Sequence, residues 1–277
     1  MNLPAEDYRC YRHPDREAYI TCQRCQRLIC PACMNDASVG FQCPSCIAKG
    51  AKTVRQPRTI AGGSVAGREG LVSMILIGVN VAAYIAQLAT GDGSGEVFQQ
   101  GALEGYHVAN GEYWRLVTSA FLHGSVLHLA FNMYALYLFG PFVEHALGTW
   151  RFIVAYATAA FAGSVVVFLL ADPTTVTIGA SGAVFGLFGM ALLFLLRAKQ
   201  DVRTLLVLLG INAFISIAGA NISWQGHLGG FVAGVLLGAA FAYAPRHRRT
   251  LVQVVVIGAL WVAMIAAVVV RAGELTS

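Results

Sequence analysis

Charge is scarce in this chain of 277 residues, and its long apolar stretches contain no aspartate, glutamate, lysine or arginine. Only 12% of the residues are charged and 57% are hydrophobic, with a mean hydropathy of +0.63. An ordinary soluble domain has roughly 25% charged and 45–50% apolar residues, so most of the chain is excluded from that class. No apolar run begins before about Leu71, so no secretory signal peptide is expected. No cysteine follows Cys46, which confines cysteine chemistry to the head of the chain. The missing intramembrane carboxylates have a chemical consequence. They leave no acid to orient a catalytic histidine, and they count against a proton-relay transporter, which would usually use them.

What is present is a set of seven stretches near the roughly 20 residues a bilayer requires: 71–89, 125–143, 152–171, 181–196, 204–220, 225–243 and 251–270. The fourth and fifth run short and could extend into their flanks. The fold class expected is therefore an all-α polytopic membrane protein behind a small cysteine-rich domain. Basic residues orient it. Lys49, Lys52, Arg55, Arg58 and Arg68 precede the first span, and Arg151, then Arg197, Lys199 and Arg203, then Arg246, Arg248 and Arg249 fall in alternate loops. The positive-inside rule puts that side in the cytoplasm, with the N-terminus inside, the C-terminus outside and Arg115 and Arg271 as exceptions. The net charge of +5 mostly reflects this asymmetry and needs no nucleic-acid partner. A multi-pass protein of the cell membrane is expected.

The head carries four pairs spaced by two residues: Cys10/His13, Cys22/Cys25, Cys30/Cys33 and Cys43/Cys46. That spacing lets two side chains converge on one tetrahedral ion, and eight ligands suit two zinc ions. A disulfide framework is disfavoured, because the head should face a reducing cytoplasm and His13 completes the odd cysteine. With every ligand slot filled, the ions are expected to be structural. The head resembles a B-box-type zinc finger. The resemblance implies a cross-brace, with Cys10, His13, Cys30 and Cys33 on one ion and Cys22, Cys25, Cys43 and Cys46 on the other. The final pair is Cys/Cys where B-boxes often carry histidines. Such a head fits either a cytoplasmic docking partner or a control on access. The Gly-rich basic stretch that follows reads as a flexible linker.

Polar groups inside spans are costly and default to functional candidates. His128 and Asn132, spaced i, i+4, share a face of the second span, with His123 at the loop junction before them. Ser181 opens the fourth span and His227 the sixth, at similar depth. Glycines at 179, 182, 186 and 189 and at 226, 230, 234 and 238 form stripes that let helix backbones approach. If the stripes face each other, Ser181 meets His227. A serine needs a base to become a nucleophile and donors for the oxyanion it creates. His227 can be the base; His128, Asn132 and the Ser181 N–H can be donors. Without a carboxylate this is a dyad, with Phe185, one turn after Ser181, packing the imidazole.

Together, Trp114–Arg115, His123-x4-His128-x3-Asn132, Gly179-x-Ser181-Gly182 and the GHLGGFVAG run around His227 resemble a rhomboid intramembrane serine protease. The resemblance implies a six-helix core with Ser181 as nucleophile, His227 as base, His128 and Asn132 supporting the oxyanion, His123 bracing the first outer loop and Glu144 as a structural carboxylate. Phe185 departs from the tyrosine many relatives carry. The resemblance also implies transmembrane protein substrates and a loop from Gly91 to Leu122 lying in the outer interface, which Tyr106, Tyr113 and Trp114 suit. The expected domains are 1–48 zinc-binding, 49–69 linker, 70–245 six-helix core and 246–277 seventh helix and tail. The competing readings are a non-catalytic rhomboid-like binder of transmembrane clients, whose relatives typically lose the serine or histidine, and a transporter using His128 and His227.

Overall fold

The structure, a computed structural model, describes residues 8–53, 59–63, 70–218 and 222–277. They form two compact units, Met1–Gln56 and Pro57–Ser277. In the first, strand β1 (Ile20–Thr21) pairs antiparallel with β2 (Leu28–Ile29), β3 (Asn35–Asp36) pairs with β4 (Phe41–Gln42), and helix α1 (Pro44–Thr53) follows. The hairpins exist to place cysteines. The β1–β2 turn carries Cys22 and Cys25, β2 runs into Cys30 and Cys33, and β4 runs into Cys43 and Cys46. Apart from cysteines, only Ala18 and Ile29 belong to the buried core of this unit among the described residues.

The second unit is helical: α2 (Leu71–Ala89), the short α3 (Glu96–Gly101), α4 (Gly105–Ala109) and α5 (Arg115–Thr118), then α6 (Val126–Leu147), α7 (Thr149–Leu170), α8 (Ser181–Arg197), α9 (Arg203–Ala218), α10 (Trp224–Tyr243) and α11 (Arg249–Thr276). Among the described residues every expected span is a helix, with α11 running six residues past its expected end; residues 219–220 of the expected fifth span lie outside the described residues. Among the described residues α2, α6, α7, α10 and α11 are long and apolar enough to cross a membrane, whereas α8 and α9 are shorter. At 1.5 Å per residue, α8 is about 25 Å long, some 5 Å less than a bilayer's hydrocarbon core. Helix α8 runs from the half-buried Ser181 to the exposed Arg197.

Helix α10 is central, packed against α7 and α8, while α11 lies along α7 and α10. Of the expected linker, residues 49–53 belong to α1 and residues 59–63 form a turn. That turn is held from two sides. The Ala61 N–H donates to the Ala146 carbonyl, and the buried Gln253 of α11 donates to the Ala61 carbonyl at 3.0 Å while accepting from Arg151. Residues 54–58 and 64–69, with Arg55, Arg58 and Arg68, lie outside the described residues.

The N-terminus of α2 begins after Gly70, which offers no side-chain cap. Glu144, fully buried on α6, supplies one across the bundle: its carboxyl accepts from the N–H groups of Val72 and Ser73, both at 3.1 Å, and from the Ser73 hydroxyl at 2.9 Å. Free helix N-terminal donors are costly when buried. Glu144→Gln turns an amide NH2 toward some of these donors, and is expected to destabilise the unit by about 1–3 kcal/mol. Thermal unfolding in detergent checks this; an unchanged midpoint would show that the cap carries no stability.

Candidate active site

The segment before α8 is pinned rather than free. Thr177 exchanges backbone hydrogen bonds with Leu103 at 2.8 and 3.1 Å, and the Gly179 N–H donates to the Ser119 carbonyl at 2.9 Å. Gly179 takes φ +125°, which an L side chain rarely adopts, and a methyl group there would lie 2.8 Å from His128 Nε2. It therefore does not join the α8 glycine stripe, as the sequence spacing suggested; it makes room for the His128 ring. Helix α8 then starts at Ser181, whose backbone N–H is among those a helix cannot satisfy internally.

The remaining stripes do face each other. A methyl group at Gly230 would overlap the Gly182 carbonyl oxygen, and one at Gly234 would overlap that of Gly186. At the end nearest Ser181, α7 joins the contact. A methyl group at Gly163 would lie 2.9 Å from the Gly226 carbonyl oxygen and 3.1 Å from Gly182 Cα. Ser181 precedes Gly182 and His227 follows Gly226, so this three-helix junction brings close the backbone segments that carry the serine and the histidine. Phe185 stacks on the His227 imidazole with ring centroids 4.1 Å apart and planes 8° from parallel. Ser181 Oγ makes no hydrogen bond to any described residue; nucleophile–base contacts are often long before substrate arrives.

His128 sits across from them. Its Nδ1 lies 3.3 Å from the Gly124 N–H, which donates to it. A nitrogen that accepts cannot carry the proton, so in the neutral ring Nε2 does. That N–H is the edge packed against Gly179, next to Ser181. Asn132, 6% exposed, donates one amide hydrogen to the His128 carbonyl at 2.9 Å and keeps a second. Of the predicted residues, Ser181 opens α8, His128 lies against Gly179 just before it, His227 stacks on Phe185 within it, and Asn132 stays one turn beyond His128 on α6. His123 is fully buried with its ring 5.1 Å from that of His128. Its backbone N–H donates to Gln87 Oε1 at 3.2 Å, and the Gln87 amide donates back to the His123 carbonyl at 2.8 Å.

One partner was not legible in the sequence. The Ser216 hydroxyl, on α9, lies 2.6 Å from His227 Nδ1. The two residues belong to different helices, so no helical spacing links them.

The loop between α2 and α6 is built around Arg115, 4% exposed, which donates to the carbonyls of Gln99 and Ala102, both at 2.7 Å, and pairs with Glu112. The guanidinium holds the Glu112 carboxyl below the usual carboxylate range. Tyr106, Tyr113 and Trp114 are half-exposed on this loop.

In the first unit, Cys10, His13, Cys30 and Cys33 form one cluster and Cys22, Cys25, Cys43 and Cys46 another, each able to hold a metal ion. His13 Nδ1 lies 3.9, 3.4 and 3.3 Å from the sulfurs of Cys10, Cys30 and Cys33, and the Cys25 and Cys43 sulfurs are 3.8 Å apart. A tetrahedral zinc site has ligand–ligand edges of about 3.5–3.8 Å, so the donor sets fit that ion. Burial opposes ionisation at Cys10 and Cys22, yet backbone N–H donors bring both thiols down to about 6. Burial and neighbouring sulfurs push Cys33 up to about 11 and Cys46 up to about 12. A bound cation removes that opposition and displaces the protons.

Residues 110–244 match the Rhomboid domain family. The chain is 36% identical over 148 residues to YdcA of Bacillus subtilis (strain 168), which carries a provisional rhomboid-protease name; the match covers 51% of this chain and 74% of that protein. It is 40% identical over 146 residues to the rhomboid protease GluP of the same organism, covering 50% of this chain but 28% of GluP. RHOMBOID-like protein 5 of Arabidopsis thaliana is 34% identical over 155 residues, covering 53% of this chain and 50% of that protein.

Proposed function

The chain belongs to the rhomboid family, and from that premise we propose that it is an intramembrane serine protease working through a Ser181–His227 dyad. The observation that supports the reading is the close backbone approach at Gly163, Gly182 and Gly226, next to Ser181 at the start of α8 and to His227, whose imidazole stacks on Phe185 of α8. In the proposed reaction His227 takes the Ser181 proton as Oγ attacks a peptide carbonyl. The oxyanion that forms is met by the Ser181 N–H, the His128 Nε2–H and the spare Asn132 amide hydrogen. His227 then returns the proton to the leaving amine, and water, activated the same way, releases the acyl group. The substrates are transmembrane proteins in the bilayer, unwound locally because a helix hides its peptide bonds in its own hydrogen bonds. The short α8 is consistent with water access in this reading, since a helix of about 25 Å does not span the whole hydrocarbon core. We place the protein in the cell membrane with its N-terminus in the cytoplasm and its C-terminus outside, following the alternating basic loops.

The test is cleavage of a panel of tagged single-span membrane proteins by the purified chain. Processing by wild type and none by Ser181→Ala is expected; no processing of any by wild type, or equal processing by both, would overturn the reading.

The head, residues 1–48 ahead of a linker through 69, is proposed to be a B-box-like domain holding two structural zinc ions and offering a surface to a cytoplasmic partner. Residues 70–245 form the protease core, and 246–277 the seventh helix and tail. Metal analysis should find two zinc ions per chain. Because little but cysteine fills the head's core, chelation should unfold it, while nucleophile labelling in the membrane unit persists. Absence of zinc, or immediate loss of labelling on chelation, would contradict a structural, separable head.

A further inference from the structure

Sequence and family leave His227 with only Phe185 to hold it, and a stacked ring fixes the plane of an imidazole but not its proton. The proton matters. A neutral imidazole carries one N–H, and it serves as a base only through the bare nitrogen. His227 Nδ1 faces α9, where Ser216 Oγ is 2.6 Å away; Nε2 is on the opposite edge of the ring. Ser216 is 4% exposed, and its hydroxyl also donates to the Asn212 carbonyl at 2.6 Å. A hydroxyl has one proton. With that proton committed to Asn212, Ser216 can only accept, and the hydrogen between Ser216 and His227 must be the histidine's.

We propose that Ser216 is a positioning residue for His227, holding it as the Nδ1–H tautomer with Nε2 free to take a proton. The proposal rests on the Ser181–His227 reading and adds to it the group that occupies the place of an orienting carboxylate. The arrangement also suits the protonated state. When Nε2 gains a proton, Nδ1–H remains a donor to an oxygen already turned to accept it, so no hydroxyl rotation accompanies proton transfer. The opposite arrangement, with Ser216 donating to Nδ1, would put the proton on Nε2, disable the base and demand a flip on protonation.

The surroundings offer little substitute. A cavity of about 240 Å³ flanks the imidazole, and Phe185, Leu209, Ala213, Ile217, Leu228 and Phe231 line it. Besides His227 itself, Ser216 and the Trp224 indole, which only donates, are the polar side chains on that lining among the described residues. Water entering there would find few partners, so it replaces Ser216 poorly.

Two measurements on the full chain in detergent test this. The first is the rate at which a fluorophosphonate probe labels Ser181. Ser216→Ala should slow it about three- to tenfold, the effect of one buried hydrogen bond, and Ser216→Thr, which keeps the hydroxyl, should restore most of it. The second is the 15N spectrum of the His227 imidazole, assigned by its loss in His227→Ala. Wild type should show a protonated Nδ1 and a bare Nε2, and Ser216→Ala should lose that preference. Equal labelling rates in wild type and Ser216→Ala, or a wild-type spectrum with the proton on Nε2, would overturn the proposal. Wild type that never labels would instead sink the dyad, and the wild-type spectrum would still decide the assignment to Ser216 without any variant having to fold.

Discussion

Ser181→Ala and His227→Ala are each expected to reduce both substrate cleavage and fluorophosphonate labelling to background, a fall of about 10⁴-fold or more. The double variant should be no slower than either single one. The two side chains act as a unit: without the base the hydroxyl keeps its proton, and without the hydroxyl the base has nothing to activate. What survives in all three comes from oxyanion donors and binding alone. Neither change should unfold the unit. Ser181→Ala removes one oxygen from a helix start, and His227→Ala removes a ring that lies on Phe185 at 4.1 Å without filling the packed seam of glycines. Asn132→Ala should fall less, by about 10²- to 10³-fold in turnover, because the His128 Nε2–H and the Ser181 N–H remain. Robust turnover by purified Ser181→Ala or His227→Ala, or a double variant far slower than both, would refute the dyad.

The helices and the head could be read before any coordinate, because the signals were local. Apolar runs marked α2 and α6 through α11, and the facing glycine stripes on α8 and α10 told which helices approach. The x2 spacing of the cysteine pairs pointed to two Cys/His clusters able to hold a metal ion, and their grouping in space follows the cross-brace that the B-box resemblance implied. What escaped the sequence depends on contacts between distant segments. The resemblance implied a structural role for Glu144, but not that it caps α2 through Val72, 72 positions earlier. Ser216 reaches His227 from another helix, and nothing in their spacing marks the pair. The turn at Thr59–Gly63 reads as part of a flexible glycine-rich linker, yet Ala61 is fully buried because Gln253, far along the chain, takes its carbonyl. Gly179 looked like the first member of a packing stripe. Its positive φ and its place against His128 are tertiary facts that spacing cannot encode.

The largest structural effect is expected from a single methyl group, in Gly230→Ala. Intrinsic helix propensity favours alanine over glycine by about 1 kcal/mol, so α10 considered alone should be stabilised. Packing reverses the sign. The new methyl would overlap the Gly182 carbonyl oxygen and lie 3.0 Å from Gly182 Cα. These are backbone atoms of α8, so no side-chain rotation relieves the overlap and the two helices must part. Overpacking a core typically costs about 1–3 kcal/mol, and with a main chain as the obstacle the cost should sit at or above about 3 kcal/mol. For a unit of this size that lowers the unfolding midpoint by about 10 °C. The site should suffer beyond stability, because Gly182 adjoins Ser181 and the α8–α10 distance sets the gap to His227; a displacement of about 1 Å can cost about 10²-fold in rate. Gly210→Ala on α9 and Gly258→Ala on α11 are the controls. A methyl group at either meets nothing within 4 Å, so both should be neutral or slightly stabilising and label normally. Melting and labelling of Gly230→Ala indistinguishable from those of Gly258→Ala would mean that the α8–α10 seam is looser than its geometry requires, and that close backbone approach does not position the serine and histidine.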